Sequence, residues 1–142
     1  MSLSFVVLGF VLGTILVAGA SVEGAEPPKF LIRPCPDTPN CVSSRDPAGP
    51  RRMNPIQYQG SLEDARRRLM RIVQALPRAS LVEDRSNYMK LEFRSALFSF
   101  VDDVEFEFDD GAKVIHFRSG SRLGYYDFGV NRRRMENIIR QF

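Results

Sequence analysis

The chain has 142 residues, a net charge of +3, 44% hydrophobic and 26% charged residues, which is long enough for one domain with a real core and too apolar for a wholly disordered chain. Its basic excess comes from 17 Arg and 3 Lys against 17 acidic residues spread through the same stretches. On the clearest predicted strand Phe106 and Phe108 alternate with Glu105 and Glu107 rather than with Lys or Arg, a pattern that argues against a nucleic-acid partner.

In chain order, the first feature is a stretch from Met1 to Val22 without a charged side chain, apolar from Leu3 to Ala18 apart from Ser4, Thr14 and glycines. That pattern predicts a signal peptide or membrane anchor over residues 1–20, with residues 3–19 as the anchoring core. Ala18-Gly19-Ala20 supplies small residues at the spacing a signal peptidase requires. The missing basic n-region, with Lys29 and Arg33 on the far side, pulls against export by the positive-inside rule. The expected location is outside the cytoplasm, in a periplasm, on the outer face of a membrane, or in the thylakoid lumen if the source is a plastid.

Residues 21–60 read as an extended arm, because prolines and other turn formers recur there without an apolar period. Its two cysteines, Cys35 and Cys41, are close enough to bridge across a segment stiffened by Pro34, Pro36 and Pro39. A zinc site would need four ligands, and His116 is the one imidazole in the chain, so no metal is expected. Redox catalysis uses two cysteines two residues apart at a helix start, which this spacing does not offer. An oxidised clasp fits an exported protein.

The remaining residues, 61–142, predict an α+β domain. Ser61 and Asp64 form a capping box, and Leu62, Ala65, Leu69, Ile72, Val73 and Leu76 recur at helical spacing until Pro77. Arg66, Arg67, Arg68 and Arg71 would occupy the solvated face. The period then changes to two: Leu81 to Glu83 and Tyr88 to Arg94 predict half-buried strands, and Val104 to Phe108 with Ile115 to Arg118 predict a hairpin around Asp110-Gly111. Met135, Ile138, Ile139 and Phe142 return to helical spacing. The order α-β-β-β-β-α implies a four-stranded antiparallel sheet covered on one face by two helices. Leu97 to Val101 is apolar at nearly every position and reads as a covered central strand, or as a docking patch for a membrane protein or lipid.

Cys35-Pro36, Pro39-Asn40-Cys41-Val42-Ser43-Ser44, Phe100-Val101-Asp102-Asp103-Val104-Glu105-Phe106, Arg118-Ser119-Gly120-Ser121-Arg122-Leu123-Gly124 and Asp127 through Arg134 stand in one order along the chain. In these blocks the chain resembles the family catalogued as domain of unknown function 1499, with Gly120 where a small residue such as Ala is more usual. The resemblance implies an envelope or plastid protein behind a signal or membrane segment, and no agreed activity or cofactor.

The densest polar constellation is Arg118, Ser119, Ser121, Arg122, Asp127, Asn131 and Arg134, between the last strand and the last helix. Free amides at a helix start with arginine forks nearby would suit a small anionic ligand. Alternatively the group satisfies itself, Asp127 receiving Arg122 or Arg134 and Asn131 capping the helix. The expected function is therefore a non-catalytic envelope binding or assembly module for a membrane-associated protein or a small anionic ligand. The competing reading is an envelope hydrolase using Ser119 or Ser121, although either serine should point to the opposite strand face from His116. No cofactor is expected.

Overall fold

The computed structural model describes residues 30–96 and 99–142. The expected signal peptide or anchor lies outside the described residues, as do Leu97 and Phe98 of the apolar run. Among the described residues no helix is long and apolar enough to cross a membrane.

The elements are β1 (Cys41–Ser43), β2 (Ile56–Gln57), α1 (Leu62–Gln74), β3 (Ala79–Arg85), β4 (Tyr88–Arg94), β5 (Val101–Asp109), β6 (Val114–Ser121) and α2 (Val130–Gln141). The fold is α+β, but its antiparallel sheet has six strands rather than four, in the order β1-β6-β5-β4-β3, with β2 also on β6. The two additional strands come from residues read above as an extended connector. Both are too short to show an alternation, and what makes them strands is the open edge of β6, where Val42 stands opposite Ser119 and Ile56 opposite Ile115.

Side-chain alternation sorts the sheet into two faces. On the first, Met89, Leu91, Phe93, Val104, Phe106, Phe108, Ile115 and Phe117 join Leu69 and Val73 of α1 and Met135 and Ile138 of α2 in one core. Helix α1 starts as its sequence requires: Ser61 caps it, its hydroxyl accepting from the Asp64 amide at 3.1 Å. Arg67 on its outer side pairs with Glu63 and Asp64, while Arg66 reaches Asp84 on β3.

The second face carries Tyr88, Glu105, Glu107, His116 and Arg118, and the arm crosses it. The Leu31 amide donates to Glu107 (3.3 Å), and Arg45 pairs with Glu107 while its guanidinium lies 3.7 Å from the centre of the Phe30 ring. Cys35 and Cys41 form a disulfide. Buried Asp46 holds the clasp in place, accepting from the Cys35 amide and from Arg51, both at 3.1 Å. Gly120 faces the clasp so closely that an added Cβ would sit 2.9 Å from Cys41 Sγ.

The expectation of a central strand from Leu97 to Val101 does not hold for Ser99 and Phe100. Strand β5 begins at Val101, and a tight loop precedes it: the Ser95 amide donates to the Phe100 carbonyl (2.8 Å), and the Phe100 amide donates to Ser95 Oγ (3.0 Å). Ser99 adopts a positive φ of 52° in that loop, and Phe100 is 51% exposed.

Candidate functional site

The end of β6 and the start of α2 meet on the core face of the sheet, and a fully buried asparagine sits between them. Strand alternation turns Ser119 and Ser121 toward α2, and the first helical turn aims Asn131 back at them. Ser119 Oγ donates to Asn131 Oδ1 (2.6 Å), and Arg134 Nη1 donates to the same oxygen (2.7 Å). Asn131 Nδ2 lies within 3.1 Å of three acceptors, the Asn40 carbonyl, Ser121 Oγ and Asp127 Oδ2. Arg134 also donates to Asp102 (2.6 Å) and stacks 4.6 Å above the Phe93 ring.

Asp127, not Asn131, caps the helix. The N-cap position is Gly129, which has no side chain to offer, in a left-handed conformation at φ 73°. The Asp127 carboxylate takes the amides of Gly129 (2.9 Å) and Asn131 (2.8 Å), and its carbonyl takes the amide of Val130 (3.1 Å). The expected Asp127 to arginine pairing is absent: Arg134 turns to Asp102, and Arg122 turns to Asp103 and Glu92. The physical reason is that Arg122 follows the end of β6 on the second face, whereas Asp127 folds under α2 on the first.

Of the seven polar residues singled out in sequence, Ser119, Ser121, Asp127, Asn131 and Arg134 converge. Arg118 and Arg122 do not join them. Arg118 lies on the second face, its Nη1 3.1 Å from Glu105 Oε2, and the Tyr88 hydroxyl donates to the other oxygen of that carboxylate at 2.7 Å. Burial, and then that hydrogen bond, push the Tyr88 hydroxyl well above its ordinary value. Arg122 holds the Asp103 carboxyl below the usual carboxylate range, with Lys90 adding to the effect against the opposing cost of burial. These arginines are committed within the protein, and the amides at the α2 entrance are taken by Asp127.

For hydrolysis, Ser119 is fully buried and bonded to Asn131 and Arg134, and His116 lies on the opposite face. A second serine, Ser44, escaped the sequence reading and does approach His116, its Oγ 3.2 Å from Nδ1. Ser44 is only 1% exposed, and its Oγ accepts the Phe117 amide at 2.9 Å. A reacting group could not reach that oxygen without displacing β6, so the contact joins the arm to the sheet rather than forming a nucleophile. Burial, with the positive charge of Arg45 next, lowers the His116 pKa below its ordinary value.

What the sequence reading missed lies beside the polar group. Leu123 (70% exposed), Tyr125 (70%), Tyr126 (59%), Phe128 (78%) and Val130 (41%) stand out from the loop between β6 and α2. A cleft of about 400 Å³ opens there, lined by Phe100, Leu123, Tyr126, Phe128 and Val130, and it reaches Ser121 and Asp127 of the polar group. The available signal was the absence of any apolar period between two glycines, Gly124 and Gly129, across a run this rich in aromatics.

The fold and this pair of features define an α+β protein with a self-satisfied polar hub carrying an exposed aromatic loop. A family model described as protein of unknown function (DUF1499) matches residues 31–142. The chain belongs to that family. No curated protein and no solved structure matches it.

Proposed function

We propose that the protein is a non-catalytic docking module, held near a membrane, whose contact surface is the aromatic loop between β6 and α2. The observation that carries this reading is the run of exposed apolar side chains from Leu123 to Val130. Leaving several large apolar groups together in water has no folding benefit, and such surface ordinarily marks a contact. The polar hub is the mount: it fixes both ends of the loop, through Asp127 at the α2 entrance and through Asn40, whose Nδ2 donates to the Gly124 carbonyl at 2.5 Å. Binding of a small anion has weaker support, since the nearby amides and most arginine forks already have partners.

The test is site-specific photocrosslinking in intact membranes with the reactive group placed at Phe128, followed by mass spectrometry. Docking predicts adducts at Phe128 and none at Val82 of the β3 edge. Loss of the protein's cellular effect on Ser119→Ala or Ser121→Ala, with folding retained and no adduct at Phe128, would favour the hydrolase instead.

A further inference from the structure

We infer that the loop partner is the lipid bilayer itself, with Leu123, Tyr125, Tyr126 and Phe128 entering the interfacial layer and Arg132 and Arg133 meeting anionic headgroups. This step rests on the docking reading above and names its partner. Three observations carry it.

The first is shape. Leu123, Tyr125 and Phe128 are each at least 70% exposed, so although Leu123 and Phe128 edge the cleft described above, most of each side chain stands out beyond it into solvent. A projecting tip of this kind fits a soft medium that closes around it. Its composition is that of an interfacial anchor, with leucine and phenylalanine for the acyl boundary and tyrosines carrying a polar end at headgroup level.

The second is backbone conformation. Phe128 has a φ of 54°, in the left-handed region that a bulky residue rarely adopts, and Gly129 follows at 73°. The Asp127 carboxylate, fixed to the Gly129 and Asn131 amides, imposes this turn and drives the Phe128 ring outward. Inside the protein that ring gains an edge-on contact with Tyr126, centroids 5.1 Å apart, and Tyr126 is itself exposed. A strained residue aimed into solvent points to a contact made elsewhere.

The third is charge. Arg132 donates to the Pro50 carbonyl, and Arg133 donates to the Phe128 carbonyl (2.7 Å). Among the described residues neither has an acidic partner within ion-pair distance, so two uncompensated guanidinium groups stand at the base of the apolar tip. Arg133 is held directly behind the most exposed ring. That arrangement complements a negatively charged surface into which the ring dips.

The chain contains no Trp, so Phe128→Trp and Leu123→Trp each create a single reporter in the full-length protein, and Val82→Trp on β3 provides the control. The probe is a vesicle in which roughly one lipid in three is phosphatidylglycerol and the rest phosphatidylcholine with brominated acyl chains. We expect emission at positions 123 and 128 to fall at least about two-fold, with little change at 82. Adding Arg132→Glu and Arg133→Glu should remove most of the quenching. An apolar N-terminal segment entering the same vesicle cannot produce this pattern, because quenching reports the depth of each position and not total binding. Matched urea midpoints confirm that the variants fold. If the indole of the Phe128→Trp variant stays open to aqueous acrylamide on vesicles but is shielded in native membranes that retain their proteins, the bilayer inference fails and the docking reading stands. If it is open in both, both fail.

Discussion

Replacing Asn131 by Ala tests the polar hub most directly. The side chain is fully buried, and its amide joins Ser119, Ser121, Asp127, Arg134 and the Asn40 carbonyl, so five contacts disappear together. Four partners keep another bond: Ser119 to Arg134, Arg134 to Asp102, the Asn40 carbonyl to the Ser121 amide, and the Asp127 carboxylate to the backbone amides of Gly129 and Asn131. The loss is therefore smaller than the sum of five independent bonds. Net contributions of about 1 kcal/mol per bond, together with the cost of buried groups left underbonded, bring the expected destabilisation to about 3 to 5 kcal/mol. In urea that lowers the midpoint by about 2 M at an ordinary m-value. Asn131→Asp isolates the donor, since it preserves Oδ1 for Ser119 and Arg134 but sets a second acceptor against Asp127 and the Asn40 carbonyl. It should approach the Ala variant in cost. Arg67→Ala, on the exposed face of α1 where Arg67 bridges Glu63 and Asp64, sets the baseline and should stay within about 0.5 kcal/mol. Asn131 variants that melt with Arg67→Ala would refute the hub as a stabilising element.

Three further outcomes follow from the same contacts. Phe128→Gly should raise stability by about 0.5 to 1 kcal/mol in urea, because glycine relieves the positive φ and little packing is lost, while membrane association falls; a loss of stability would show that the ring packs inward. Gly120→Ala should destabilise by about 1 to 3 kcal/mol, since the new methyl would press on the Cys41 sulfur of the clasp, and that penalty should shrink when Cys35 and Cys41 are both replaced by Ala; an unchanged penalty in the triple variant would place the clash elsewhere. His116 has a folded pKa depressed below 6.5, so its neutral form contributes stability above that value, which is lost as the pH falls through the folded pKa. Denaturation between about pH 7.5 and about pH 5.5 should show a shallower decline for His116→Gln than for wild type, and parallel profiles would contradict the assignment.

The elements that sequence made legible are those whose pattern is local. The Ser61 capping box, the helix ending before Pro77 and the hairpin of β5 and β6 each rest on neighbours within a few residues, and the hairpin register sets Glu105 opposite Arg118 and Glu107 opposite His116 as alternation requires. The missing strands depended on distant partners: Cys41–Ser43 is ordered by pairing with the far end of β6, and no periodicity over three residues could show that. The polar constellation was found by density, and five of its seven members converge. Its wiring was not legible, because a separation of five residues between Arg122 and Asp127 says nothing about which side of the sheet each one takes. The same blindness hid the aromatic loop. Leucine, tyrosine and phenylalanine in sequence read as candidate core, and only the backbone turns at Gly124, Phe128 and Gly129 decide that they face outward.

Hub and tip are coupled through one carboxylate, which makes their relation testable beyond their separate energies. Asp127 fixes the entrance of α2, the Asn131 amide and the turn that projects Phe128. Asp127→Ala therefore removes a helix cap worth about 1 kcal/mol and, independently of that loss, frees the loop to relax Phe128 out of its left-handed conformation. Phe128→Trp in the Asp127→Ala background should then lose its quenching by brominated lipid even at temperatures where the variant is fully folded. Phe128→Trp alone, equally folded, should keep it. Were the two backgrounds to be quenched equally, the loop would dock whatever its conformation, and the strain at Phe128 would have no part in presenting the aromatic tip.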